Sequence, residues 1–188
     1  MFISSRSFIR SLFFSVALLF NGIVLAGWTP DSESADAQGK ADSDIAQTIA
    51  TFKTKDPSLK RFFDQAHGYA VFPTVGKGGI GIGGAYGSGK VYRKGKYIGD
   101  TSLSQVTIGF QLGGQAYSEV IFFGSKGALD KFINGNFEFS AQVSAVAVTA
   151  GASADVDYSG GIAVFTATKG GLMYEASVGG QKFSYTAK

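Results

Sequence analysis

Basic residues crowd one stretch of this chain. Lys77, Lys90, Arg93, Lys94 and Lys96 occur with no acid between Asp64 and Asp100. Cations grouped without counter-charges suit anionic partners, such as phospholipid head groups or acidic surfaces. Each basic side chain held near an anionic bilayer contributes ~1 kcal/mol, so several together give a useful, salt-sensitive attraction. Tyr86, Tyr92 and Tyr97 lie close by, and tyrosine rings settle at head-group level. Upstream, Lys60-Arg61 adjoins Phe62-Phe63, the pairing carried by an amphipathic helix lying in a membrane interface. Both features also have a plainer reading. The lysines suit a solvated hairpin that keeps a sheet edge soluble, and the paired phenylalanines suit a helix packed on a sheet.

Residues for covalent or acid–base chemistry are sparse. His67 is the single histidine, and there is no cysteine, so no imidazole pair or thiolate is available to hold zinc. It precedes Gly68 at an expected helix end, where a capping or partly buried role suits it. Asp155 and Asp157 fall on one face of an expected strand and read as a solvated edge. Glu119 and Glu175 lie in otherwise apolar strands; each reads as a satisfied structural carboxylate ahead of a general acid. No G-x-S-x-G elbow occurs. Gly79 to Gly84 spells G-x-G-x-x-G, but that match arises easily in a run this rich in glycine, and strand residues follow where a dinucleotide site needs a helix. Gly84 to Val91 approaches a phosphate-binding loop, yet Val91 stands where a hydroxyl must hold magnesium. The expectation is a non-enzymatic protein that binds no nucleotide, metal or other cofactor.

The N-terminus directs export. Arg6 and Arg10 precede an apolar stretch from Leu12 to Phe20, and no acid occurs before Asp31. Val24 and Ala26 supply the small residues required before a signal-peptidase cut. Asn21-Gly22 interrupts the stretch, leaving it short of the roughly 20 apolar residues of a span. Residues 1–26 therefore read as a signal peptide, with an uncleaved anchor as the alternative. Leu25-Ala26-Gly27 resembles the start of a lipoprotein signal, but Trp28 occupies the cysteine position, so no lipid can be attached there. The expected location is the periplasm or the extracellular space, peripheral to a membrane.

Removing Arg6 and Arg10 leaves 15 basic residues against 14 acidic ones, a net +1. Such a global charge gives no case for nucleic acid. The distribution is uneven, however: residues 27–52 carry −4 and residues 53–96 carry +7. With no disulfide available, an exported domain depends on its core, and 45% apolar residues with 17 Phe and 8 Tyr can build one.

Residues 27–40 are small, polar and acidic and read as a flexible lead, followed by one domain over 41–188. Ile45, Ile49 and Phe52 keep helical spacing. Asp56 and Pro57 mark a second helix start, with Leu59, Phe62, Phe63 and Ala66 on one side and Gly68 closing it. Strand patterns then follow at Tyr69–Phe72, ending at Pro73, and at Gly78–Tyr86, Lys90–Ile98, Val106–Gln111 and Ala116–Phe123. Ser125 caps a short helix stopped by Asn134-Gly135. A long alternating run covers Phe137 to Thr149. Gly160-Gly161, Gly170-Gly171 and Gly179-Gly180 mark hairpin turns. The expected fold is α+β and β-rich: two N-terminal helices and a curled antiparallel sheet or partly closed barrel of about 8–9 strands, with one short inserted helix.

These residues carry a family resemblance. Gly68-Tyr69-Ala70-Val71-Phe72-Pro73, followed by Gly76 to Gly87, resembles the opening signature of SYLF lipid-binding domains. Ile108 to Tyr117 is similar to the family's G-x-Q-x-G-x-Q segment, Ala128 to Phe132 to its short helix, and Lys169 to Tyr174 to a later K-G-L stretch. The likeness runs from about Ser58 to the C-terminus. It implies a non-enzymatic domain that binds anionic phospholipid or a membrane surface. The candidate lipid-binding residues are Lys60, Arg61, Lys77, Lys90, Arg93, Lys94 and Lys96, and the candidate membrane contacts are Phe62, Phe63, Tyr92 and Tyr97. Actin and phosphoinositides, partners of eukaryotic members, are not expected to meet an exported chain. Two alternatives remain: a small outer-membrane or structural β-barrel, and a ligand carrier with a pocket inside the curled sheet lined by Glu119 or Glu175.

Overall fold

A computed structural model describes residues 30–80, 82–108, 114–135, 137–140, 143–170 and 178–188. Helix α1 spans Pro30–Lys55, and a 3-10 turn over Pro57–Leu59 leads into α2, Lys60–Gln65. Four long strands follow: β1 Gly68–Ile80, β2 Ile82–Arg93, β3 Lys96–Ile108 and β4 Gly114–Phe123. Then come α3 Lys126–Ile133, the two-residue strands β5 Phe137–Glu138 and β6 Val146–Ala147, and the closing strands β7 Ile162–Gly170 and β8 Lys182–Ala187. They form one sheet in the order β5-β8-β3-β2-β1-β4-β7-β6. All neighbours are antiparallel except β6 and β7. The expected α+β, β-rich class, with a curled sheet and an inserted helix, is the observed one.

Side-chain alternation gives the sheet two buried faces. On one, Val71, Val120, Phe122 and Phe165 meet Ile45, Phe52, Leu59 and Phe62 of the N-terminal helical region. On the other, Phe72, Tyr117, Ile121 and Phe123 meet Leu129 and Phe132 of α3. Phe183 of β8 and Val164 of β7 belong to this second cluster although four strands lie between them, which requires the sheet to curl toward that side. The chain after β5 crosses the open side of the curl, from the β8 edge to the β7 edge, with Val143 and Ala145 packed on the second cluster.

The boundaries differ from the sequence reading in several places, among them the Lys90–Ile98 pattern, which is the end of β2 and the start of β3 around Lys94-Gly95. Helix α1 reaches back to Pro30, through residues expected as a flexible lead to Lys40; residues 34–40 are solvent-exposed, and polarity alone does not separate an exposed helix from a loop. Strand β1 continues through Pro73, because a register shift between Val71 and Thr74 forms a bulge where a residue lacking an N–H is tolerated. The small-residue run Gly78–Tyr86 is two strands, with Ile80 opposite Ile82 around the turn. The alternating run 137–149 is strand only at 137–138 and 146–147 among the described residues, yet Phe137, Phe139, Val143 and Ala145 all pack on the second cluster, while Val146 and Val148 serve the first. Residues 1–26 and Trp28, together with Glu175, lie outside the described residues.

A lipid-embedded barrel does not fit this arrangement. The sheet is open, with β5 and β6 at its ends, and α1 and α2 cover the face that such a barrel turns to lipid. Among the described residues no helix is long and apolar enough to cross a membrane.

Candidate functional site

The structure disperses the basic cluster. Lys90 lies on the α1 side of β2, only 5% exposed. Its Nζ reaches Asp42 of α1 at 2.5 Å and lies 4.9 Å from the Tyr97 ring. This residue fastens a helix to the sheet and is not a free cation. Arg93 faces Asp130 of α3 at 3.6 Å. Arg61 donates to the carbonyls of Ser153 (2.9 Å) and Val156 (2.7 Å) and stacks over Phe62, so it tethers a distant loop. Lys60 pairs with Asp64 one helical turn on. That leaves Lys94 and Lys96, exposed on either side of Gly95 in the β2–β3 turn, and Lys77, half-buried on β1 at the other end of the sheet. The expectation of one basic rim gives way to two separated sites.

The aromatic candidates are similarly divided. Phe62 is buried, with ring contacts at 5.3 Å to Phe122 and 4.9 Å to Phe165, so the plain reading of a helix packed on a sheet holds for it. Phe63 is half-buried against Tyr69 and Phe122, with Lys53 over its ring. Tyr92 stacks on Tyr69 at 5.0 Å, and Tyr97 follows at 6.1 Å. Burial pushes both the Tyr92 and Tyr97 phenols up to about 12, with the Asp100 hydrogen bond adding to the effect at Tyr97. Both rings are neutral at physiological pH.

His67 uses its backbone as a junction: its N–H donates to Phe123 O at 2.8 Å and its carbonyl accepts from Lys94 N at 3.1 Å. Helix α2 ends one residue earlier, at the Ala66 cap, and Gly68 begins β1. Asp155 and Asp157 are exposed and outside any strand, which removes the expected shared face.

Glu119 is different. It is fully buried on the curled side of β4, opposite Phe72 on β1 and Thr166 on β7. Gln181 Nε2 donates to Glu119 Oε2 at 3.0 Å and to the Tyr117 hydroxyl at 3.2 Å. Glu119 Oε1, Gln181 Oε1 and Thr166 Oγ1 have no hydrogen-bond partner. Burial pushes the Glu119 carboxyl up to about 8, against the pull of the Gln181 hydrogen bond. Protonation supplies a donor among acceptors that lack one. The residues around Glu119 make it a neutral, packed carboxyl.

Sequence reasoning missed Asp56 as a hub. Its carboxylate accepts from Ser58 N (3.0 Å), Ser58 Oγ (2.8 Å), Ser153 N (2.7 Å) and Gly151 N (3.3 Å). Burial opposes its ionisation, but the hydrogen bonds from Ser153 and Ser58 override it and bring the pKa down to about 2. The capping role was readable from Asp-Pro; the long-range contacts were not.

Two further surfaces stand out. A groove of about 750 Å³ runs between α1 and the sheet, lined in part by Gln38, Asp44, Tyr86, Ser88, Ser102 and Ser184. Near the β1–β2 turn, the exposed large apolar residues Ile82, Tyr86 and Val106 gather on one face.

The fold and these surfaces define a β-rich module whose helices pack on its sheet and which carries lysines and apolar side chains outward. Residues 104–187 match the family model described as Ysc84, Las17-binding protein actin regulator. Beta cell expansion factor A of Aeromonas veronii is 33% identical over 133 residues, covering 69% of this chain and 49% of that protein. The chain thus spans about half the length of this curated relative. It belongs to the SYLF (Ysc84) family, whose domains are of lipid-binding type. The family match begins at Ser104, so the glycine-rich stretch from Gly68 to Gly87 falls outside it.

Proposed function

We propose that this chain is an exported, non-enzymatic SYLF domain that associates peripherally with anionic phospholipid surfaces. The observation that supports this reading most directly is the set of lysines standing free of acids in a domain of lipid-binding type. Lys77 and Lys169, near one end of the sheet, have no ion pair among the described residues. The N-terminal pattern of Arg6, Arg10, an apolar core and Ala26 supports export, and N-terminal sequencing of the secreted chain tests it, with Gly27 as the expected first residue.

At ~1 kcal/mol each, two or three lysines give an attraction of only millimolar order or weaker. Electrostatics alone therefore makes a poor anchor. Co-sedimentation with vesicles of phosphatidylcholine, with and without phosphatidylglycerol, tests the reading. Pelleting with the anionic vesicles and much less with the neutral ones is expected; no pelleting with either overturns it.

A further inference from the structure

The exposed large apolar residues among those described are Ile82 (71%), Tyr86 (62%) and Val106 (79%). Single exposed apolar side chains are ordinary, but these three share a place. Val106 pairs with Gly84, and Ile82 and Tyr86 lie two residues to either side of Gly84 on β2, so all three project from one face. The neighbouring strands continue the rows with Gly76 and Gly78 on β1 and Gly114 on β4. A Cβ at Gly76 or Gly114 would meet nothing within 4 Å, so crowding does not require glycine at either place. Among the described residues, three apolar side chains stand out from an otherwise glycine-rich end of the sheet.

Lysines surround this end at its base. Lys182 on β8 is level with Ser104 and Tyr86. Lys169 on β7 reaches Thr74 Oγ1 at 2.8 Å, and Lys77 projects from the opposite face of β1. Among the described residues the one acid paired with any of the three is Glu138, 3.7 Å from Lys182, with both side chains more than half exposed. Four residues separate the Tyr86 level from Ile82, about 13 Å of strand. That matches apolar groups reaching roughly 5–10 Å into the head-group and acyl boundary while flexible lysine stems keep their ammonium groups at the phosphates. Lys94 and Lys96 lie at the far end of β2, on the order of 35 Å away, several Debye lengths at physiological salt.

We propose that the β1–β4 end of the sheet is the part that enters the lipid interface, with Ile82 and Val106 leading, Tyr86 at the head groups, and Lys77, Lys169 and Lys182 at the phosphates. This rests on the lipid-surface reading above and names its contact; the Lys94–Lys96 turn faces away. A second copy of this chain is a poor occupant of the same patch, because Lys77, Lys169 and Lys182 would face their like.

The absence of cysteine makes single-cysteine labelling clean. Ile82→Cys, Val106→Cys and Lys96→Cys, each carrying an environment-sensitive fluorophore, are mixed with phosphatidylcholine–phosphatidylglycerol vesicles. A blue shift and quenching by bilayer-embedded quenchers are expected at positions 82 and 106, with position 96 unchanged. In unlabelled chains, Ile82→Glu with Val106→Glu lowers vesicle affinity roughly tenfold or more, Lys169→Ala or Lys182→Ala lowers it about fivefold, and Lys94→Ala with Lys96→Ala leaves it unchanged. These positions are exposed, so an unmoved thermal transition certifies folding. Vesicle binding with the response at position 96, and silence at 82 and 106, overturns this assignment and spares the lipid reading. A shift at 82 and 106 that grows with protein concentration without vesicles assigns the patch to self-association and overturns it too. No binding by the unmodified chain overturns both.

Discussion

Replacing Glu119 with Gln should make the protein more stable at alkaline pH and leave it nearly unchanged at pH 5. The carboxyl is fully buried, and its pKa is raised from 4.5 to about 8. The folded state therefore holds a proton that the unfolded chain releases, so stability is full below the unfolded pKa and is lost as pH rises through the folded one. Across that window the loss is about 5 kcal/mol, of which about 3 kcal/mol has gone by pH 7. In the variant, a carbonyl can still accept from Gln181 Nε2, and the amide supplies a permanent donor beside Gln181 Oε1 and Thr166 Oγ1, both unpartnered. Denaturant unfolding of both proteins from pH 5 to pH 9, with matching m-values, isolates the effect because every other titrating group is shared. A flatter profile for the variant is expected, with the two curves separating above pH 5. Parallel profiles would refute the reasoning, since Glu119 would then titrate alike in both states.

Asp56→Ala should cost roughly 2–4 kcal/mol, because it removes the cap on the 3-10 turn and leaves the buried N–H of Ser153 unpaired; thermal melting at neutral pH measures it. The depressed Asp56 pKa adds about 2 kcal/mol of stability above pH 4 that is lost as pH falls toward 2, and acid titration of the variant against the parent checks that share. Gly89→Ala should destabilise by about 1–3 kcal/mol, since its Cβ would stand 2.4 Å from Val71 O and 2.8 Å from the Phe72 ring. Gly76→Ala, with open space around it, should fall within about 0.5 kcal/mol of the parent.

Local chemistry was legible where partners are near in sequence. Asp56 before Pro57 and Ser125 ahead of α3 both cap as their types require, accepting from Ser58 N and Ala128 N. Gly160-Gly161 and Gly180 adopt positive φ at turns. What stayed hidden depends on distant pairing. Lys90 reads as one more rim lysine until β2 is placed beneath Asp42, 48 residues upstream. In Gly78–Tyr86 the strand period is satisfied by several registers, so nothing in the run marks where one strand gives way to two, with Ile80 paired to Ile82. The Glu119–Gln181 pair likewise needs β4 and β8 brought to one interior, 62 residues apart.

Salt separates the charged and apolar parts of the proposed membrane contact. Lys77, Lys169 and Lys182 together are worth about 3 kcal/mol at an anionic surface. Raising ionic strength from physiological to 1 M shortens the screening length from about 8 to 3 Å and removes most of that. Burial of Ile82 and Val106 contributes a further ~3 kcal/mol or more, and salt does not weaken it. Binding of the parent to anionic vesicles should therefore weaken by about two orders of magnitude in 1 M salt without vanishing. The Ile82→Glu, Val106→Glu variant should lose its remaining binding completely. Equal and complete loss in both proteins would mean that the association is wholly electrostatic, and the apolar end of the sheet would then have no part in it.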